Sequence, residues 1–266
     1  MPFGADGENG MKTIVLVLAY DGTPFCGWQR QEGQKSVQGC LETALTRIHG
    51  GRRTEVRGAS RTDAGVHAEW QVAAFDTDRD YTPTRWQQAI NALTPPEIYV
   101  RSVREAPSGY HPRFAKKGKC YRYAICEGHY LPPGLLGRAM LSRPLDIGRM
   151  REAAHYLLGE HDFSSFRAQD CQASSPVRIL TRIEISRHAM PFAYPAFDGE
   201  ACGLVQIEVE GTAFLKQMVR ILVGTLVDFG LGREPSEMKQ ILEAKDRQMA
   251  GETVPACGLT LIRSLE

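Results

Sequence analysis

From Lys12 to Tyr20 the chain runs through a β-branched apolar stretch closed by Asp21-Gly22-Thr23-Pro24, which predicts a buried strand entering a turn. Val37, Leu41, Leu45 and Ile48 recur at helical spacing behind Ser36, predicting an N-capped helix over 37–49 that Gly50-Gly51 ends. Shorter alternating runs predict strands over 54–59 and 70–75. A helix over 84–93 should stop at Pro95-Pro96, with strands over 98–103 and 120–125 after it.

The second half repeats the style without repeating the sequence. A Pro/Gly-rich stretch at 131–137 opens a candidate bridge over 134–146, and a helix is predicted over 147–158. Alternating strands over 179–185 and 204–209 flank a long Pro- and aromatic-containing loop at 189–201. The segment 214–230 is apolar over much of a helical circumference and should be buried, 234–245 should be a surface helix, and 258–265 a closing strand. Strands on either side of helices in each half predict an α+β fold of two units with mainly antiparallel sheets. The expected division is a disordered, polar and glycine-rich leader at 1–10, an N-terminal unit at 11–135 and a C-terminal unit at 136–266.

Composition narrows the class. With 266 residues, 42% of them hydrophobic, a sizeable core is available. The apolar run that begins the first strand is interrupted too soon for a signal or a membrane span, so a cytoplasmic location is expected. Seven cysteines without a CxxC pair suit free thiols in a reducing compartment and argue against a disulfide framework or a zinc knuckle. Lys and Arg number 32 against 31 Asp and Glu, so net charge announces no polyanion partner. Local charge does: Arg47, Arg52, Arg53, Arg57 and Arg61 face only Glu55, and Arg113, Lys116, Lys117, Lys119 and Arg122 are unopposed, as one phosphate-tracking face requires.

Candidate chemistry centres on residues 58–68, Gly-Ala-Ser-Arg-Thr-Asp-Ala-Gly-Val-His-Ala, where Asp63 falls on the connection between two predicted strands. Asp-Ala-Gly favours a tight turn, which an Asp can serve with no chemistry attached. Signatures of nucleotide-binding loops, nucleophile elbows and metalloproteases are absent, so catalysis would run on side chains alone. His67 with Ser60 and Asp63 lacks the elbow of a triad, and the spacing of His155, His161 and Asp162 fits no single metal-binding helix face.

Arg61-Thr62-Asp63-Ala64-Gly65-Val66-His67-Ala68 resembles the active-site motif of the TruA family of tRNA pseudouridine synthases. Tyr20-Asp21-Gly22-Thr23-x-Phe25-x-Gly27-Trp28-Gln29-x-Gln31 and Ser36-Val37-Gln38-x-x-Leu41-Glu42 are similar to the motifs that precede it in that family. His111-x-Arg113-Phe114 with Tyr121-Arg122-Tyr123, then Phe163-Ser164-Ser165-Phe166-Arg167 with Cys171-Gln172, follow in matching order. Phe214-Leu215-x-x-Met218-Val219-Arg220-x-x-Val223-Gly224 and Pro255-Ala256-x-Gly258-Leu259 complete a resemblance that spans residues 11 to about 262.

The resemblance implies two similar α+β halves whose sheets join into one, flanked by helices, with the active-site cleft between them, assembled as a homodimer. It implies isomerisation of uridine to pseudouridine at positions 38, 39 and 40 of the tRNA anticodon stem-loop, without metal or other cofactor. Asp63 would be the catalytic carboxylate, as nucleophile or base, since a carboxylate ionised at neutral pH needs no metal to activate it. Arg220 would be its ion partner, Tyr121 would stack on the extruded uracil and handle a proton in the last step, and Leu259 would floor the base. Arg61 would fill the space a flipped base vacates. Arg57, Arg113, Lys119 and Arg167 would grip RNA, reading shape more than sequence. A catalytically silent RNA-binding or chaperone protein using the same cleft is the alternative, and a cofactor-free enzyme of small metabolites a third reading.

Overall fold

The computed structural model describes residues 10–115, 117–189 and 203–265. Residues 1–9 of the expected leader, Lys116 of the basic cluster and most of the expected loop 189–201 lie outside the described residues. β1 (Lys12–Tyr20), α1 (Val37–Ile48), β2 (Arg57–Gly58), β3 (His67–Thr77), α2 (Pro83–Leu93), β4 (Ile98–Ala106) and β5 (Gly118–Glu127) come first. β6 (Met140–Ser142), α3 (Ile147–His155), β7 (Gly159–Asp162), β8 (Val177–Ala189), β9 (Gly203–Gly211), α4 (Met218–Gly230), α5 (Glu237–Ala244) and β10 (Leu259–Leu265) follow.

These strands make one sheet in the order β4-β1-β3-β10-β5-β9-β8-β7, with β2 paired to β3 and β6 to β5. β10 is the seam. It runs parallel to β3, with Thr260 opposite His67, and antiparallel to β5, with Leu259 opposite Tyr123 and Leu261 opposite Tyr121. The rest of the order is antiparallel, so the α+β architecture holds and its centre lies where β3, β10 and β5 meet.

Local chemistry explains most boundaries. Ser36 caps α1 by accepting from Gly39 N–H at 3.2 Å. Ile14, Leu16 and Leu18 of β1 and Phe75 of β3 belong to one buried cluster with Leu41 and Leu45 of α1 and Trp86 and Ile90 of α2. Phe75 meets Trp86 edge-on, ring centres 5.1 Å apart. The same cluster continues through Tyr121, Tyr123 and Leu261 into α4.

Three expectations shift. The strand over 54–59 shrinks to β2, because the backbone of Val56 is claimed by α1: Gln38 Nε2 donates to its carbonyl at 2.9 Å and Glu42 Oε1 accepts from its N–H at 3.2 Å. The helix over 214–230 begins at Met218, because Gln217 is left-handed at φ 59° and the Lys216 carbonyl is taken by Ala168 N–H. The bridge over 134–146 contributes β6, the helix over 147–158 ends at His155, and β7 forms just beyond it, where no element was expected. Two- to four-residue strands carry too little pattern to be seen in sequence.

Candidate active site

The cleft at the β3-β10-β5 junction encloses about 780 Å³, ample for a nucleoside. One side comes from residues 55–63, another from β5 and Leu259, and a third from the entry to α4 between Phe214 and Arg220. Asp63 stands on the β2–β3 connection, where Val66 N–H closes a turn on the Asp63 carbonyl and Gly65 adopts φ 77°. The turn is gripped from behind by the segment after β1: Trp28 N–H donates to Thr62 O at 3.1 Å and Gly65 N–H to Phe25 O at 3.3 Å. A Cβ at Gly22 would lie 2.1 Å from Val66 O, and one at Gly27 2.4 Å from Thr62 O, so both glycines exist to let two backbones touch. Two motifs far apart in role are thus one device for holding Asp63.

Arg220 enters from the first turn of α4. Its Nε donates to Val254 O at 2.8 Å and its NH1 lies 3.4 Å from Asp63 Oδ2. The guanidinium is 14% exposed and the carboxylate 34%, so the pair is partly desolvated while Asp63 keeps an open side to the cleft. Tyr121 on β5 is 7% exposed, with Phe214 edge-on at 5.2 Å. Burial, reinforced by Tyr20 and the Asp63 charge, holds its phenol well above the ordinary range, so it stays protonated. Tyr20, also raised by burial, shares a 2.9 Å hydrogen bond with Thr62 Oγ1. Leu259 is buried and lines the same cleft.

The basic residues divide. Arg61 and Arg113 line the cleft and are exposed, with no ion pair among the described residues. Lys119 lines it half-buried, and burial together with Arg113 lowers its pKa. Arg57 also lines it, but is bound to Asp76 through two hydrogen bonds of 2.7 and 2.9 Å, which raise its pKa and compensate its charge. Arg167 stands outside the lining, although Asp170 and Gln172 just after it belong to it. Lys216 is paired with Asp170 across the rim, and Phe214, the first residue of the motif that carries Arg220, lines the cleft; neither was given a role from sequence, because the loops that converge on the cleft are far apart along the chain.

His67 is buried and stitches the site: Gly22 N–H donates to its Nδ1 at 3.0 Å, and Nε2 faces the carbonyls of Gly137 and Cys257 at 2.9 and 3.1 Å. It is a brace and not a triad member. Outside the cleft, His161 bonds the Leu158 carbonyl, and Asp162 accepts from Ser164 and pairs with Lys245. Among the described residues no group of three or more His, Cys, Asp and Glu side chains is arranged to hold a metal ion, no disulfide links the cysteines, and no helix is long and apolar enough to cross a membrane.

A family model described as tRNA pseudouridine synthase matches residues 16–115 and 153–264. Curated relatives named tRNA pseudouridine synthase A include one from Geobacter sulfurreducens, 43% identical over 253 residues that cover 94% of this chain and 98% of the relative. Another from Vibrio parahaemolyticus is 43% identical, covering 94% and 90%, and one from Pseudomonas aeruginosa is 41% identical, covering 96% and 85%.

Proposed function

The chain belongs to the tRNA pseudouridine synthase family, and we propose that its cleft isomerises uridine to pseudouridine in the anticodon stem-loop of tRNA, at positions 38, 39 and 40. The observation that carries the reading is a carboxylate, Asp63, open to a nucleoside-sized cleft and paired at 3.4 Å with the anchored guanidinium of Arg220.

A stem uridine is out of reach until it is flipped, at a cost of a few kcal/mol. Arg61, exposed at the rim, braces the vacated stack, and Arg113 and Lys119 take phosphates. Asp63 acts as nucleophile or base while the N1–C1′ bond breaks. The uracil turns between Tyr121 and Leu259, C5 bonds to C1′, the C5 proton leaves and N1 gains one, with the Tyr121 phenol handling a proton in this last step, so that the product is an isomer of the substrate. The chemistry asks of the protein a fixed anion, a phenol and an apolar floor, and the chain supplies these from its own residues. Arg57, with its charge compensated by Asp76, shapes the wall more than it attracts phosphate, and Arg167 contributes outside the cleft. The enzyme works as a cytoplasmic homodimer.

Tritium release from tRNA labelled at uracil C5, followed by mapping of the modified nucleotide, tests this. Release that requires Asp63 and maps to the anticodon stem-loop is expected. Release elsewhere in tRNA keeps the chemistry and overturns the positions, and tight tRNA binding without release favours the silent RNA-binding protein.

A further inference from the structure

Ser60 opens the segment that carries Asp63 and lines the same cleft as Tyr121, yet it is only 4% exposed. Its Oγ is closed to solvent and has no hydrogen-bond partner among the described residues. Such a group is disfavoured in a folded protein and points to a partner that arrives later or a use that offsets the cost. The backbone around it cannot drift to find one. Gln71 Nε2 donates to the Ser60 carbonyl at 2.8 Å, Ala59 N–H donates to Val72 O at 2.8 Å, and Thr62 is tied to Tyr20 at 2.9 Å.

The Ser60 hydroxyl lies close enough to the Tyr121 phenol to lower its pKa against the larger upward push of burial, without meeting the geometry of a hydrogen bond. A base entering the cleft cannot reach a sealed Oγ directly, but Tyr121 lines the same cleft and lies open to it. We propose that Ser60 is a positioning residue, whose O–H donates to the Tyr121 phenol oxygen once substrate fills the cleft and so turns the phenol's own proton toward the base. A phenol oxygen has one hydrogen to place; a donor arriving from the Ser60 side leaves it the cleft side. The inference rests on the role given to Tyr121 under the proposed function.

The test is a double-mutant cycle in single turnover, with enzyme in excess over tRNA tritiated at uracil C5, comparing wild type, Ser60→Ala, Tyr121→Phe and the double variant. Ser60→Ala should be slower by roughly three- to tenfold, the worth of one hydrogen bond. Its affinity for tRNA should stay within about twofold, because the phosphate contacts that dominate binding are untouched. Its Tm should not fall, because the substitution deletes an unpaired buried hydroxyl. A merely structural serine predicts no rate change at all. In the Tyr121→Phe background the same substitution should have no further effect.

Wild-type rate in Ser60→Ala, or equal slowing in both backgrounds, overturns the inference. Wild-type rate in Tyr121→Phe instead overturns the proton-handling role of the Tyr121 phenol, whatever Ser60 does. A readout independent of turnover is ¹⁹F NMR of protein made with 3-fluorotyrosine, the Tyr121 resonance being assigned by its loss in Tyr121→Phe. In the tRNA complex that resonance should move when Ser60 becomes alanine, and an unmoved resonance overturns the contact.

Discussion

Arg220 meets Asp63 with one arm of its guanidinium, at 3.4 Å, while its Nε is held by the Val254 carbonyl at 2.8 Å. The arginine therefore works as a fixed strut between α4 and the loop before β10, with the carboxylate at its free end. A lysine ammonium is a single point on a flexible stem and cannot hold both contacts in one plane. Arg220→Lys should keep the fold and slow single-turnover isomerisation by about tenfold or more, with tRNA affinity within a few fold. An Arg220→Lys protein that turns over at the wild-type rate would show that charge alone suffices.

The backbone contact behind Asp63 makes a second expectation. Gly27 combines φ 106° with a Cβ position 2.4 Å from Thr62 O, so alanine there faces both strain and collision. Gly27→Ala should cost about 1–3 kcal/mol, and should cut turnover more than tRNA binding, because the displaced residues adjoin Asp63. Gly33, whose Cβ would meet nothing within 4 Å, is the control: Gly33→Ala carries the strain of φ 70° without the collision. Thermal unfolding and single-turnover rates of the two variants separate these causes.

Much of this was legible from local pattern. β1 occupies the residues its apolar run marked, and α1 starts behind the serine that caps it, because both signals lie within one turn of chain. Asp63 could be placed on a turn between strands for the same reason. The Asp63–Arg220 pair could not: 157 residues separate the partners, and family resemblance, not spacing, joined them. Likewise Val56 reads as strand, and only the fold brings Gln38 and Glu42 to take its backbone groups. Arg57 reads as open positive charge, and only the β2–β3 register brings Asp76 to it.

The Gln38–Glu42 clamp gives the third expectation. Gln38 Nε2 reaches Val56 O at 2.9 Å, both groups being buried, and its Oε1 accepts from Arg30 N–H at 2.9 Å in a part-buried contact. Gln38→Ala leaves a buried carbonyl and an amide without partners, and should destabilise the protein by about 1–3 kcal/mol in urea unfolding. Thr43→Ala, on the exposed side of the same helix, removes a hydroxyl that bonds Gly39 O and should stay within about 0.5 kcal/mol. Equal losses in the two variants would mean that the clamp contributes nothing special.

His67 makes stability depend on pH in a definite direction. Burial, with the Arg138 charge beside it, lowers its pKa, and the nearby Asp21 carboxylate and the Gly137 and Cys257 carbonyls only partly oppose them. The neutral ring fits the contacts: Nε2–H donates to the carbonyls of Gly137 and Cys257, and Nδ1 accepts from Gly22 N–H. Protonating Nδ1 would evict that acceptor and set a cation against Arg138. His49, likewise lowered by burial, acts in the same sense. Above about pH 7.5 folded and unfolded chains both carry neutral histidines, and these residues give no slope. As pH falls below about 6.5 the unfolded chain takes up protons that the folded one refuses, so stability must decline with falling pH. The urea midpoint should therefore be flat from pH 8 to 7.5 and drop between pH 6.5 and 5.5. His67→Gln should shrink the drop without abolishing it, because His49 remains. A drop of unchanged size in His67→Gln would assign the whole effect to other groups.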